Sequence, residues 1–283
     1  MAGFGGLRVL SLESRRAEEM AKLIAANGGV ATVAPSMREA PLESNAAALA
    51  FVETLLDGGF DMVILLTGVG TRALARAVEA RHPLEQLVAG LRTVPIVARG
   101  PKPVAVLREW SVPIALAVPE PNTWREILRA LEERADTLPL AGRRVAVQEY
   151  GVPNPELVAG LAERGARVTT VPVYTWALPL DTGPLRAAVE GIARGEFEVI
   201  LFTTSVQVPH LLEVAAEMKL EEQLRRRLTA MMVASVGPAS TESLRRHGLD
   251  ADLEPSHPKM GFLVKETADR SAEILSRKRE RPA

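Results

Sequence analysis

Shifted by 137 residues and laid over itself, the chain matches its own pattern. Phe60 falls on Phe197 (197 − 60 = 137) and the Gly-Pro pair at Gly100 falls on the pair at Gly237 (237 − 100 = 137). Upstream, RVLSLESRRAEEMAKLIAANGG, from Arg8, lies over RVAVQEYGVPNPELVAGLAERG, from Arg144, at an offset of 136. Each copy takes about half of the 283 residues. A period of that size means duplicated domains rather than a solenoid of short units.

Each copy alternates short β-branched runs with helical patterns, which predicts parallel sheets covered on both faces. The runs are RVLSL, MVILL and VPIVA in the first copy and VILF and MMVAS in the second, with IALAV and ADLEP as closing strands. That makes about five strands per copy, the size of a small doubly wound domain. Asn154 is placed to cap a helix, Pro155 to open it and Gly165 to stop it. Long helices are expected over 46–56 and 185–193. Two proline-bounded straps, PSMREAPL and PVYTWALPL, join the opening β-α-β unit of each copy to the rest. If the straps cross side by side, one domain is 1–36 plus 174–265 and the other 37–173, with 266–283 a tail. The alternative is two sequential domains split near residue 137. The basic end, SRKRERPA, reads as a frayed, solvated terminus.

Composition narrows the function classes. A net charge of −1 gives no global field toward nucleic acid or anionic membranes. The chain has no cysteine and only four histidines, none at HxxxH or HExxH spacing, so no metal site is expected. No apolar run is long enough to span a bilayer, and the first residues do not read as a signal peptide, so a cytoplasmic protein is expected, by default a monomer. TGVGTRA is neither a Walker loop nor GxGxxG, which disfavours nucleotide cofactors; none is predicted.

In open α/β sheets ligands bind beyond the carboxyl ends of strands. Six loops have that position. They hold Glu13, Ser14, Arg15 and Arg16; Thr67, Gly68, Val69, Gly70 and Thr71; Arg99, Gly100, Pro101 and Lys102; Glu149, Tyr150 and Gly151; Thr203, Thr204, Ser205 and Val206; and Gly237, Pro238, Ala239, Ser240 and Thr241. Such residues at helix starts leave backbone N–H groups free to hold anions. For any one loop, helix capping alone is the favoured explanation of the composition. Six on one structural edge suggest a cleft lined by anion holders. Arg15, Arg16, Arg72 and Arg99 either pair with surface acids or hold a substrate carboxylate. Tyr174, on a strap, is a candidate proton donor or orienting group, or plain hinge packing; Trp176 shares its side of the strap. His82, His210, His247 and His257 read as surface residues, and Trp110 and Trp124 as packing.

DMVILLTGVGTRAL, EVILFTTSVQ, VTTVPVYTW and VASVGPASTESLRRHG together resemble the uroporphyrinogen III synthase family, over nearly the whole chain. The resemblance implies two α/β domains joined by a two-stranded linker, and it favours the discontinuous division. It implies cofactor-free closure of hydroxymethylbilane, with loss of water and inversion of the last pyrrole. It also implies a role for Tyr174 in departure of the hydroxyl group. The family's Gly-Pro-Thr-Thr hydroxyls fall on Ala239 and Ser240. Ala239 is a departure, for which Thr241 is a candidate substitute. The rival readings are a non-enzymatic two-domain sensor for a small anion and a sugar-nucleotide transferase.

Overall fold

The structure, a computed structural model, describes residues 3–149, 151 and 153–280. The chain divides into two compact units, Met1–Arg38 with Ala177–Ala283, and Glu39–Trp176.

The first unit opens with β1 (Arg8–Ser11), α1 (Ala17–Ala26) and β2 (Val30–Val33). The chain then leaves through β3 (Arg38–Ala40), runs through the second unit, and returns through β9 (Thr175–Ala177). β3 and β9 pair as a two-stranded sheet. The first unit continues with α8 (Gly183–Arg194), β10 (Val199–Phe202), α9 (Gln207–Glu217), α10 (Glu221–Ala230), β11 (Met232–Ser235), α11 (Pro238–Arg246) and α12 (Met260–Glu280). Its parallel sheet runs β11-β10-β1-β2.

The second unit contains α2 (Ala46–Leu56), β4 (Met62–Leu65), α3 (Gly68–Val78), α4 (Leu84–Leu91), β5 (Ile96–Ala98), α5 (Pro101–Glu109), β6 (Leu116–Ala117), α6 (Trp124–Glu132), β7 (Arg144–Gln148), α7 (Pro155–Glu163) and β8 (Arg167–Val171). Its sheet runs β6-β5-β4-β7-β8. The register is the same in both units. Val9 pairs with Val199 as Val145 pairs with Met62, and Phe202 pairs with Ser235 as Leu65 pairs with Ala98. Each sheet therefore joins the β-α-β start of one sequence copy to the later strands of the other.

The central strands are apolar throughout because helices cover both faces. In β4, Val63 and Leu65 face one cluster and Met62 and Ile64 the other. In β10, Ile200 and Phe202 divide from Val199 and Leu201 in the same way. Full burial of each such side chain contributes about 1.5–3 kcal/mol. α7 forms for the reasons its sequence suggests: Asn154 accepts the Leu157 N–H at 3.2 Å, Pro155 opens the helix, and Gly165 takes a left-handed φ of +85°.

Two parts depart from expectation. ADLEP contributes only a parallel bridge, Ala234 to Leu253. Instead of a fifth ladder, the Asp252 carboxylate accepts the Val233 N–H at 2.7 Å and binds Lys278 Nζ at 2.6 Å. The tail is not frayed through Glu280. α12 buries Leu263, Val264, Thr267, Ala268, Ser271, Ile274 and Leu275, the three-and-four spacing of a helix docked along one face.

Candidate functional site

The loops at the carboxyl ends of the strands differ in how much of their hydrogen-bonding capacity the protein already uses. Glu13, after β1, is bent back on its own loop: Oε1 accepts the N–H groups of Arg15 and Arg16 at 3.0 and 3.1 Å, and Oε2 accepts the Thr203 hydroxyl at 2.5 Å. The start of α1 thus holds an internal carboxylate. Arg16 is paired with Glu19, one turn along α1, while Arg15 is exposed at the helix start.

After β10, the fully buried Gln207 serves its own helix. Its Oε1 accepts the N–H groups of Thr203 at 2.7 Å and Thr204 at 3.3 Å, and its Nε2 donates to Thr203 Oγ1 at 2.9 Å. Ser205 is half-buried, and its carbonyl accepts the Ser243 hydroxyl at 2.8 Å; Val206 packs inward. His210, one turn on, is also buried, against the surface role expected of it. Its Nδ1 meets the Ser36 carbonyl at 2.8 Å.

In the second unit, Thr67 caps α3, its hydroxyl accepting the Gly70 N–H at 2.9 Å, and Thr71 donates to the Thr67 carbonyl at 2.8 Å. Val69 packs against the core. Gly68 and Gly70 are glycines for packing reasons. A Cβ on Gly68 would lie 2.7 Å from the Lys102 carbonyl oxygen, and one on Gly70 would overlap the Gln148 amide. Arg72 is tied to Glu109 at 2.5 Å. Arg99 commits its Nε to the Leu66 carbonyl at 3.0 Å. α5 opens on Gly100, with prolines at positions 101 and 103 removing two of its early N–H donors.

The loop after β7 carries Glu149, the counterpart of Glu13. Burial pushes its carboxyl above the usual range, offset in part by the Asn154 backbone N–H that it accepts. Tyr150 lies outside the described residues. Gly151 has a φ of +89°, and a Cβ there would stand 2.5 Å from Trp176 Nε1 and 2.7 Å from Tyr174 Cε2. The loop therefore lies directly on the linker aromatics. Tyr174 is 6% exposed and meets Trp176 edge-on, with centroids 5.3 Å apart.

The remaining loop follows β11. α11 begins at Gly237–Pro238 without a side-chain cap, with Ala239 exposed at its second position and Ser240 buried. Thr241 does not present its hydroxyl outward in place of Ala239: it lies 2.5 Å from Ser235 Oγ and donates to Glu254 at 2.5 Å. Of these six helix starts, α3 and α7 carry a side-chain cap; at α1 and α9, Glu13 and Gln207 instead take N–H groups at or ahead of the helix start; α5 and α11 have neither, and each has proline in its first turn. Glu254 and Gln207 have no motif to announce them.

A family model described as "Uroporphyrinogen-III synthase HemD" matches residues 18–265. The chain belongs to the uroporphyrinogen-III synthase family. Its activity is accordingly that of a cyclising lyase of porphyrin synthesis, and no comparison favours an anion sensor. A mutant uroporphyrinogen III synthase of Thermus thermophilus is 26% identical, with a TM-score of 0.71 over 95% of this chain and 100% of that one. A Methanothermobacter thermautotrophicus protein named "Putative uroporphyrinogen-III synthase" is 31% identical over 240 residues, 83% of this chain and 87% of that protein. The Bacillus subtilis protein YjjA, named as uncharacterized, is 27% identical over 272 residues, 94% of this chain and 96% of its own length. No helix among the described residues is long and apolar enough to cross a membrane.

Proposed function

We propose that this chain closes hydroxymethylbilane to uroporphyrinogen III chiefly by positioning, with the uncapped start of α11 receiving a substrate carboxylate and Tyr174 assisting departure of the hydroxyl group. The single observation that carries the reading is α11: a helix start at the carboxyl end of β11 with no side-chain cap and with Ala239 exposed in its first turn. Such an end suits an anion, and the family's substrate is rich in carboxylates.

The reaction asks little of acid–base residues. The pyrrole nitrogen expels the hydroxymethyl oxygen as water, leaving an azafulvene cation. The substituted carbon of the terminal ring attacks that cation, and fragmentation and reclosure invert the ring before a proton is lost. The net change is loss of one water. The unassisted route closes without inversion, so the protein's task is to hold the chain in the conformation that selects the substituted carbon, together with charge stabilisation. Tyr174, held edge-on by Trp176 and backed by Gly151, is suited to give a proton to the departing oxygen.

The test is turnover of hydroxymethylbilane with separation of the product isomers. The expected result is an excess of the III isomer, and product of only the I isomer at the protein-free rate overturns the reading. Tyr174→Phe keeps the ring packing and is expected to lower kcat about tenfold or more. Unchanged kinetics remove the proton-donor role while leaving the positioning role intact.

A further inference from the structure

We infer that Ser235, Thr241 and Glu254 form a positioning network for the first turn of α11, and that Glu254 is a functional residue of this protein. The inference rests on the reading above that α11 receives a substrate carboxylate.

The network joins three places in the chain: the last residue of β11, the first turn of α11, and the segment just past the bridge at Leu253. Thr241 Oγ1 donates to Glu254 Oε2 at 2.5 Å. With its proton committed there, that oxygen accepts the proton of Ser235 Oγ, also 2.5 Å away. Both hydroxyls point their protons toward one carboxylate, an arrangement in which each bond polarises the next. Ser235 is 0% exposed and Thr241 7%, while Glu254 is exposed. Thr241 is also anchored through its backbone, its N–H donating to the Gly237 carbonyl at 3.1 Å. A second tie, from the Ser243 hydroxyl to the Ser205 carbonyl at 2.8 Å, fixes the next turn of α11 to the loop after β10.

The other unit shows what packing alone requires. The shared strand register places Ala98 where Ser235 stands and Leu116 where Leu253 stands. By the same offset, Val104 is the counterpart of Thr241, Ala117 of Glu254, and Val106 of Ser243. The same strand end, helix start and neighbouring segment are therefore built from Ala, Val and Ala in one unit and from Ser, Thr and Glu in the other. Val and Thr have nearly the same shape. Burying two hydroxyls is costly unless they are satisfied, and the fold does without them elsewhere. The polar set goes with α11, which has one proline in its first turn, and its apolar counterpart with α5, which has two.

The decisive experiment gives the first unit the residues of the second, in the full-length chain, as S235A/T241V/E254A. The variant is expected to melt cooperatively, because the same residues already fold at the equivalent place. Its KM for hydroxymethylbilane is expected to rise about tenfold or more, the scale of a lost charge-assisted hydrogen bond. The I isomer is expected to increase among its products, because a substrate held less firmly closes without inversion. E254Q, whose amide oxygen still accepts the Thr241 proton, should recover most of the wild-type KM, and E254A should not. Wild-type KM and isomer ratio in the triple variant overturn the inference, as does E254Q impaired as much as E254A. If the triple variant fails to fold, the near-isosteric T241V carries the same prediction, and an unchanged KM overturns it. Failure of the underlying reading looks different: wild-type protein then gives no III isomer above the protein-free reaction.

Discussion

The two units share topology and register but satisfy their loops by different means. In the first unit, Gln207 reaches back from α9 to take the Thr203 and Thr204 amides. In the second, the counterpart of Gln207 is Gly70, and a glutamine comes from the opposite side: Gln148, at the end of β7, approaches the Thr67 N–H at 3.5 Å. One polar requirement is met from two different sequence positions. At the next loop the requirement itself differs, Ser235, Thr241 and Glu254 standing opposite Ala98, Val104 and Ala117. The comparison separates what the duplicated fold needs from what one copy has added.

The largest effect that would sharpen the contrast is at Gly68. Gly68→Ala places a methyl 2.7 Å from the Lys102 carbonyl oxygen, a backbone atom that cannot step aside, so α3 and α5 must separate. A loss of about 1–3 kcal/mol is expected in denaturant unfolding. Its counterpart Ser205 already carries a side chain, and Ser205→Ala should change stability by less than about 0.5 kcal/mol. Equal losses at both positions would break the comparison.

Gln207→Ala comes next. It leaves the Thr203 and Thr204 amides and the Thr203 hydroxyl without their buried partner, an expected loss of about 1–3 kcal/mol. Gln148→Ala, which gives up a longer contact to Thr67, should lose less in the same measurement.

The smallest effect tests what the units share. Arg144 and Asp61 pair at the amino end of one sheet, at 3.1 Å, as Arg8 and Glu198 pair at 2.5 Å in the other. Hydrogen bonds from Arg144 hold the Asp61 carboxyl down to about 2, and those from Arg8 lower Glu198. With folded-state values depressed, this stability is present above the ordinary carboxylate range and is lost as pH falls toward 2. Both pairs are partly solvated, so Asp61→Asn should cost less than about 1 kcal/mol at neutral pH. In acid titrations of stability the variant should lose less than the wild type between about pH 4 and pH 2.

Much of this architecture is legible in the sequence. MVILL and VILF announce central strands because they are apolar on both faces, and Asn154, Pro155 and Gly165 bound a helix by local chemistry. The exchange of β-α-β starts is not legible, because the repeat supplies two copies without saying whether Arg8 meets Glu198 or Asp61. Resemblance to a family supplied that direction. The C-terminal helix is concealed by its basic end, although Leu263, Val264, Thr267, Ala268, Ser271, Ile274 and Leu275 carry a helical spacing. Nor could the loop composition reveal which amides were already used. Glu13 and Thr203 are joined across 190 residues of sequence, and Thr241 meets both Ser235, on β11, and Glu254, beyond the last bridge.

The central claim is that substrate carboxylates are held at the carboxyl ends of the strands, foremost at α11. Backbone amide shifts recorded while uroporphyrinogen III is titrated into the full-length protein under reducing conditions test it directly. The account predicts shifts concentrated at Gly237, Ala239, Ser240 and Thr241, with smaller ones in the loops after β4 and β10. Perturbation centred on the opposite edges, around Arg8 and Glu198 or Arg144 and Asp61, would contradict it.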